Sequence, residues 1–355
     1  MIPNVSQPTA AAPLITGSWP AHTWRLTLWN LRLARRRLMS KILAAILLLF
    51  FLVVIFFLVI ALFTERSYSQ AVTDCATPIS TVASNTPGQP PSQPCGPVTT
   101  TGQDQQAQAV DQDLTQSLTF PNILETAGGY TTFMGTILLC ILAGALIGNE
   151  YSFGTQRLAL SRGVSRAQLI AAQVAALAIL ALIVSGAMLL LGTLFGVTLG
   201  PGVGGSIPDI SPAGWAQLLL YWLVVALYLL AYALIALLLG TLGRSTAVGI
   251  AGSLGYIIFE LIVTPILMGV ALAFQGNVRV TAGVVHNALL GPNLSALING
   301  VTQSPLNLGG SSASSTLDTG ISPIPTAQGL LISLLYCVAL VALSYLLVRK
   351  RDVTH

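Results

Sequence analysis

Lysine occurs only twice in this 355-residue sequence, at Lys41 and Lys350, and neither follows the glycines of a phosphate-binding loop. That excludes an ATPase of the G-x-x-x-x-G-K-[ST] kind, in which the lysine reaches the nucleotide phosphates. Histidine occurs three times, at His22, His286 and His355, so an H-E-x-x-H zinc site is impossible and no metal centre is expected. Charge as a whole is scarce: Asp, Glu, Lys and Arg make up 7% of the chain, against 54% hydrophobic residues. A soluble domain carries about 25% charged residues, which excludes that class too.

The apolar residues that replace them are gathered into runs. A membrane-spanning helix needs about 20 mostly apolar residues, because no backbone group can stay unpaired in hydrocarbon. Six segments meet this test: 42–63, then roughly 131–147, 168–197, 215–240, 246–274 and 328–348. The second is short and the third and fifth are long, which predicts tilt or helical extension beyond the bilayer. The expected fold is an all-α polytopic membrane protein with six transmembrane helices.

The basic residues orient it. With the N-terminus in the cytoplasm, the inner segments hold Arg25, Arg32, Arg35, Arg36, Arg37, Lys41, Arg157, Arg162, Arg166, Arg244, Arg349, Lys350 and Arg351, and the outer ones only Arg66 and Arg279. Thirteen against two is the asymmetry the positive-inside rule describes, so both termini are expected in the cytoplasm. The run at 42–63 reads as a signal anchor that stays in the protein, being too long for a cleaved leader and lacking a small-residue cleavage site. The net charge of +4 belongs to the inner surface, where it points to anionic lipid headgroups and not to nucleic acid.

The sequence divides accordingly into an N-terminal cytoplasmic segment (1–41), the first span (42–63), an extracytoplasmic loop (64–130), spans two to five (131–274) with a cytoplasmic loop at 148–167, a second extracytoplasmic segment (275–327), and the sixth span with a basic C-terminus (328–355). The first outer loop is rich in Thr, Ser, Gln and Pro, and carries Cys75 and Cys95. An oxidising exterior favours a disulfide between them over free thiols. Cys140 and Cys337 lie within spans and read as packing residues. In the second segment, "TAGVVHNALLGPNLSALING" (281–300) is too apolar for a loop and too interrupted by Gly291 and Pro292 for a span, which fits short helices at or dipping into the outer leaflet.

Two polar features lie at membrane depth. Ser253 in "AGSLGY" raises an intramembrane serine protease with His286 as base, yet Ala251 stands where a G-x-S-x-G elbow needs glycine. Close helix packing explains these small residues better. Glu260 in "GYIIFELIVTP" is a carboxylate inside span five. It costs about 3 kcal/mol to insert and must face the bundle interior. It belongs either to a substrate or proton path or to a hydrogen-bonded packing site near a helix break at Pro265.

The lead-in "TWRLTLWNLRLARRRLMSK" is amphipathic: Trp24, Leu28, Leu31 and Leu38 share one stripe, Arg25, Arg32 and Arg36 another, and Trp29 adds a second aromatic. An interfacial helix on the inner leaflet is expected. The other cytoplasmic stretch, "NEYSFGTQRLALSRGVSRAQLI", exposes Tyr151, Phe153, Leu158 and Leu160 beside Arg157 and Arg162, a surface suited to another protein. Glu150 is expected near the start of its helix, at the positive dipole end.

With its basic amphipathic lead-in, six spans, this loop and the ending "LLVRKRDV", the sequence resembles the membrane subunit of type-2 ATP-binding cassette exporters from about Trp24 to Val353. The loop pattern of that family, an acid, Gly-Thr, a leucine pair and Val-Ser-Arg, is met by Glu150, Gly154, Thr155, Leu158, Leu160, Val164, Ser165 and Arg166, while Gly163 and Gln173 stand where the family often has Pro and Lys. The resemblance implies two such subunits side by side, this chain paired with a second copy or a paralogue, in a bacterial or archaeal cell membrane. It also implies a separate cytoplasmic subunit that binds ATP and Mg, with the 148–167 loop docked in it as a coupling helix. A membrane sensor or assembly factor with a ligand-binding outer loop is the alternative. Non-reducing analysis of the chain recovered from membranes should show Cys75 linked to Cys95, and membrane-impermeant thiol reagents should reach cysteines introduced in the 64–130 loop but not in the 148–166 loop; the opposite labelling pattern would reverse the topology.

Overall fold

An apolar run with no polar face has one backbone solution in hydrocarbon, a helix whose N–H and C=O groups pair within the segment. In the computed structural model, which describes residues 19–36, 38–76, 120–152, 164–201, 212–302 and 323–350, six helices are long and apolar enough to cross a membrane. Every regular element among the described residues is helical. In chain order they are α1 (Trp19–Arg36), α2 (Leu38–Ala76), α3 (Ile123–Tyr130), a π-helical turn (Thr131–Gly135), α4 (Thr136–Ser152), α5 (Arg166–Leu199), α6 (Pro212–Gly243), α7 (Thr246–Ala273), α8 (Asn277–Ala288), α9 (Leu290–Thr302) and α10 (Thr326–Lys350). Span one is the apolar part of α2, span two is α3 with α4, and spans three to six are α5, α6, α7 and α10.

Span two is not short. The stretch expected at 131–147 is the middle of a helical run that begins at Ile123 and ends at Ser152. Its first two turns carry Glu125, Gly128 and Gly129, which hid it from a count of apolar residues. Span five differs as well: Pro265 lies inside α7, which continues to Ala273, so there is no helix break there.

Span four is the centre, packing against α4, α5, α7, α9 and α10. Its buried residues, among them Tyr221, Val225, Leu229, Ala233, Leu234 and Leu237, surround the whole helix. Lipid tails are as apolar as leucine, so the helices gain little from mere burial and gain most from close approach. Glycine permits that approach here. A Cβ on Gly144 of α4 would come within 2.8 Å of the Ile250 nitrogen, one on Gly249 within 3.1 Å of the Cα atoms of both Gly144 and Gly240, and one on Gly148 would overlap the backbone of Thr246. Spans two, four and five therefore meet backbone to backbone. On the other side of the bundle, Gly192 and Gly196 of α5 seat Ala127 and Ile123 of α3.

The turn between spans four and five is tight. Arg244 has φ 50, in the left-handed region, and Ser245 caps α7 by accepting from the Val248 N–H at 3.2 Å. This fixes the antiparallel register that sets Gly240 against Gly249.

The segment after span five forms two short helices, as its composition implied. Leu289 is extended (φ −68, ψ 150) and separates α8 from α9, while Gly291 and Pro292 fall in the first turn of α9, where a proline costs no intrahelical bond. α8 packs back along α7, and α9 runs between α6 and α10.

The N-terminal helix α1 packs on span three. Thr27 is buried, with its hydroxyl donating to the Thr23 carbonyl at 2.9 Å, whereas Trp24 and Trp29 are 56% and 48% exposed and Leu28 and Leu31 are half-buried. Arg25 and Arg32 are exposed. A small residue whose one polar atom is satisfied lets α1 approach the span, while both indoles stay exposed.

If backbone contact at the glycines holds spans two and five together, Gly148→Ala should lower thermal stability in detergent or nanodiscs by about 1–3 kcal/mol. Gly255, with no atom within 4 Å of a Cβ, provides the control: Gly255→Ala should be neutral or slightly stabilising, because alanine is favoured over glycine in a helix by about 1 kcal/mol.

Candidate functional site

Glu260 lies near the midpoint of α7 and is 5% exposed. A buried carboxylate must be met by hydrogen-bond donors or its burial is prohibitive. Three converge on it. Tyr232 of span four donates its hydroxyl to Oε2, Tyr256, one turn before Glu260 on the same helix, donates to Oε1 at 2.9 Å, and the backbone N–H of Gly291 donates to Oε1 at 3.0 Å. Gly291 is in the first turn of α9, where N–H groups have no intrahelical partner and the dipole favours an anion. One carboxylate therefore joins span four, span five and the α8–α9 pair. A Cβ on Gly291 would stand 3.0 Å from Oε2 and 3.1 Å from the Tyr232 hydroxyl, so any larger residue would push these two groups back from the α9 backbone.

Aromatic rings surround this point. Tyr228 and Tyr232 have centroids 5.2 Å apart, Tyr232 and Tyr256 6.2 Å, and Tyr256 and Phe259 6.4 Å. At its far end α9 is fastened again, by Gln217 of span four donating to the Val301 carbonyl. Both oxygens of Glu260 are occupied by donors from the protein, the arrangement that the hydrogen-bonded packing reading calls for.

At the end of the bundle that carries Arg166, Arg244 and Arg349, the loop expected to dock a partner is entered and left through fixed points. Glu150 is in the last turn of α4, where it accepts from Gln173 Nε2 of span three. This corrects the expected position at a helix start: α4 simply runs past the apolar residues, so the acid sits at the unfavourable end of a dipole and takes a side-chain donor instead. At the loop's exit Ser165 and Gln168 form a capping box, Ser165 Oγ accepting from the Gln168 N–H at 3.2 Å and Gln168 Oε1 from the Ser165 N–H at 3.0 Å. Arg166 then reaches span six, its Nη1 donating to the carbonyls of Val348 at 3.0 Å and Arg349 at 2.8 Å.

Of the other expected loop residues, Tyr151 belongs to α4 with its side chain outside the described residues, and Phe153, Gly154, Thr155, Arg157, Leu158, Leu160 and Arg162 lie outside them altogether. Cys75 is in the last turn of α2 with its side chain likewise outside, as is Cys95 entirely. Ser253 is no nucleophile in waiting: its hydroxyl donates to the Gly249 and Ile250 carbonyls of its own helix at 2.8 and 3.0 Å, and Nδ1 of His286 faces Asn287.

Tyr232, Tyr256 and Gly291 were not singled out by sequence. A signal existed for the first: folding spans four and five about the Arg244 turn places Tyr232 opposite the 257–260 region. Nothing comparable announces Gly291, because its contact depends on α8 returning along span five.

A family model described as ABC-2 family transporter protein matches residues 34–353. Compared with curated proteins and with solved structures, the chain matches none.

Glu260→Leu removes the acceptor for three donors, of which the Tyr232 hydroxyl is buried, and a buried group left orphaned costs about 1–3 kcal/mol. The variant should lose thermal stability accordingly, while Glu260→Gln, which keeps the shape and one acceptor oxygen, should retain most of it. Equal stability of the two variants would show that the carboxylate does not hold the elements together; lost transport in a stable Glu260→Gln would restore the substrate or proton path.

Proposed function

Since the chain belongs to the ABC-2 transporter family, we propose that it is the permease subunit of an ATP-driven exporter, with its 148–167 loop as the element that couples it to a separate ATPase. The observation that carries the reading is the family match from residue 34 to residue 353, which takes in the loop and all six spans. In support, the loop departs from the end of span two and enters the start of span three, both ends fastened by Glu150–Gln173 and by the Ser165 capping box. A push delivered to these fastened ends passes directly to spans two and three.

Under this reading both termini and the loop face the cytoplasm, and the Arg-rich surface meets anionic lipid. Trp24 and Trp29 flank α1 at headgroup depth, with Arg25 and Arg32 directed to phosphates. The apolar surfaces left bare on span one (Phe56, Phe57) and span five (Ile258, Phe259, Ile262) face lipid or a second permease subunit, itself another copy or a paralogue. ATP and Mg bind the partner ATPase. The partner supplies the energy through its preference for one permease state when ATP is bound, since a ligand shifts an equilibrium only by its differential affinity for the two states. The substrate would then pass between the two permease subunits of a cell membrane.

Replacing both Arg157 and Leu158 with Asp puts acids into the proposed interface at a cost on the order of 2–5 kcal/mol. The variant should insert and fold normally yet lose co-purification with the ATPase, or keep it and lose ATP-dependent export. Gly154→Pro should behave similarly by changing the backbone without adding charge. Full association and export in both variants would reduce the segment to a solvated connection and leave the sensor or assembly-factor reading in its place.

A further inference from the structure

Among the described residues, span six makes specific polar contacts with both the basic end of the bundle and the α8–α9 pair. At the basic end, its last carbonyls, Val348 and Arg349, receive the Arg166 guanidinium. Those carbonyls lie among the four that an α-helix leaves unpaired, at its negative pole, where a cation is favoured. Arg166 is itself in the first turn of span three, where a cation is disfavoured by the helix's own dipole. Its location makes sense through the neighbour it reaches.

Towards the other end, span six grips the α8–α9 pair. The Tyr336 hydroxyl donates to the Ala288 carbonyl, the last residue of α8, at 2.8 Å. Gly329 lies so close to α9 that a Cβ there would stand 2.7 Å from the Asn293 carbonyl oxygen. Between these contacts and Val348 the helix contains neither proline nor glycine, whereas span five carries Pro265 within it. From Gly329 to Val348 the helix is about 28 Å long at 1.5 Å per residue, close to the thickness of a bilayer core. A helix of that composition transmits displacement along its axis and has no point at which to absorb it.

We propose that span six is a rod that ties the start of span three to the α8–α9 pair, with Arg166 as the positioning residue that engages it. Movement of the start of span three is carried by Arg166 to the end of span six, along span six to Tyr336 and Gly329, and from there to α9, whose first turn is hydrogen-bonded to Glu260. The proposal rests on the permease reading only for the origin of the movement, the partner's push on the loop that ends at Ser165; the mechanical link is a property of this chain.

Hydrogen exchange of the full chain in lipid nanodiscs, without ATPase, tests the link. Arg166→Gln should speed exchange of the α9 amides on the order of fivefold, the factor expected from losing a cation at a helix C-terminus, while the α4 amides stay as protected as in the parent. Arg166→Lys, which keeps the charge but not the fork, should give a smaller increase. Because coupling is reciprocal, Tyr336→Phe should loosen the last turn of span six as well as α8. If Arg166→Gln loosened only the helix ends it touches and left α9 unchanged, the rod would be overturned. Should that variant lose protection in α4 too, it is unfolding, and Arg166→Lys with Tyr336→Phe decide: no effect at the far end in either refutes the link. No ATPase is present, so a failed permease reading shows separately, in the association assay of the loop variants.

Discussion

A carboxylate at the midpoint of a membrane-spanning helix has to be answered by donors from its own protein, and the folding of the chain after span four is organised around that requirement. Glu260 takes one donor from span four, one from its own helix and one from the backbone of α9. The third is the consequential one. A backbone N–H in the first turn of a helix is free only if that helix begins there, so α9 has to start at the depth of Glu260 and α8 has to return to that depth to deliver it. The break at Leu289, the glycine at 291 and the proline at 292 follow from the same demand: an end to α8, room beside the carboxylate, and a residue that loses nothing in a first turn.

Two kinds of contact divide the bundle into parts of different stiffness. Spans two, four and five approach backbone to backbone at Gly144, Gly148, Gly240 and Gly249, and dispersion falls off steeply with any gap, so these three helices hold a fixed relation. Span one is different, touching the rest mainly through Leu47, Phe51 and Ile55, with Tyr130 donating to the Leu47 carbonyl at 3.0 Å. Spans three and six are joined at the basic end by the Arg166 side chain on backbone carbonyls, a link that ties them to each other and not to the glycine-packed trio. Differential movement is cheapest between the rigid trio and these outer helices.

Much of this was legible in the sequence, for reasons that differ from element to element. Six spans followed from run length alone, because hydrocarbon leaves the backbone no other choice. The short helices after span five followed from an apolar stretch that contains a Gly-Pro pair. What hid the start of span two was its content of Glu125, Gly128 and Gly129, residues that an apolar count discards but that pack well within a bundle: Gly128 makes room for Tyr221. The contact of α1 with span three was not announced by its amphipathic pattern, because amphipathicity ranks residues by polarity, while a helix resting on another helix is placed by size, and Thr27 is small and internally satisfied. Glu150 was assigned to the wrong end of a helix for a related reason: α4 continues through polar residues where the apolar pattern stops.

The same contrast explains why the acid in span five gave so ambiguous a signal. Sequence supplies the cost of burying a carboxylate but not the donors, and a transport acid and a structural acid carry the same cost. What separates them is whether the oxygens are left to a mobile ligand. Here both oxygens of Glu260 are bound to groups that also fix the positions of spans four and five and α9, and a ligand would have to displace a tyrosine or lift α9 to reach either one. Lifting α9 is the movement that span six is placed to drive, since it grips α9 at Gly329 and the end of α8 at Tyr336. The carboxylate and the rod therefore act on the same element from opposite sides, one holding it in the bundle and the other attached to the end where an energy source would pull.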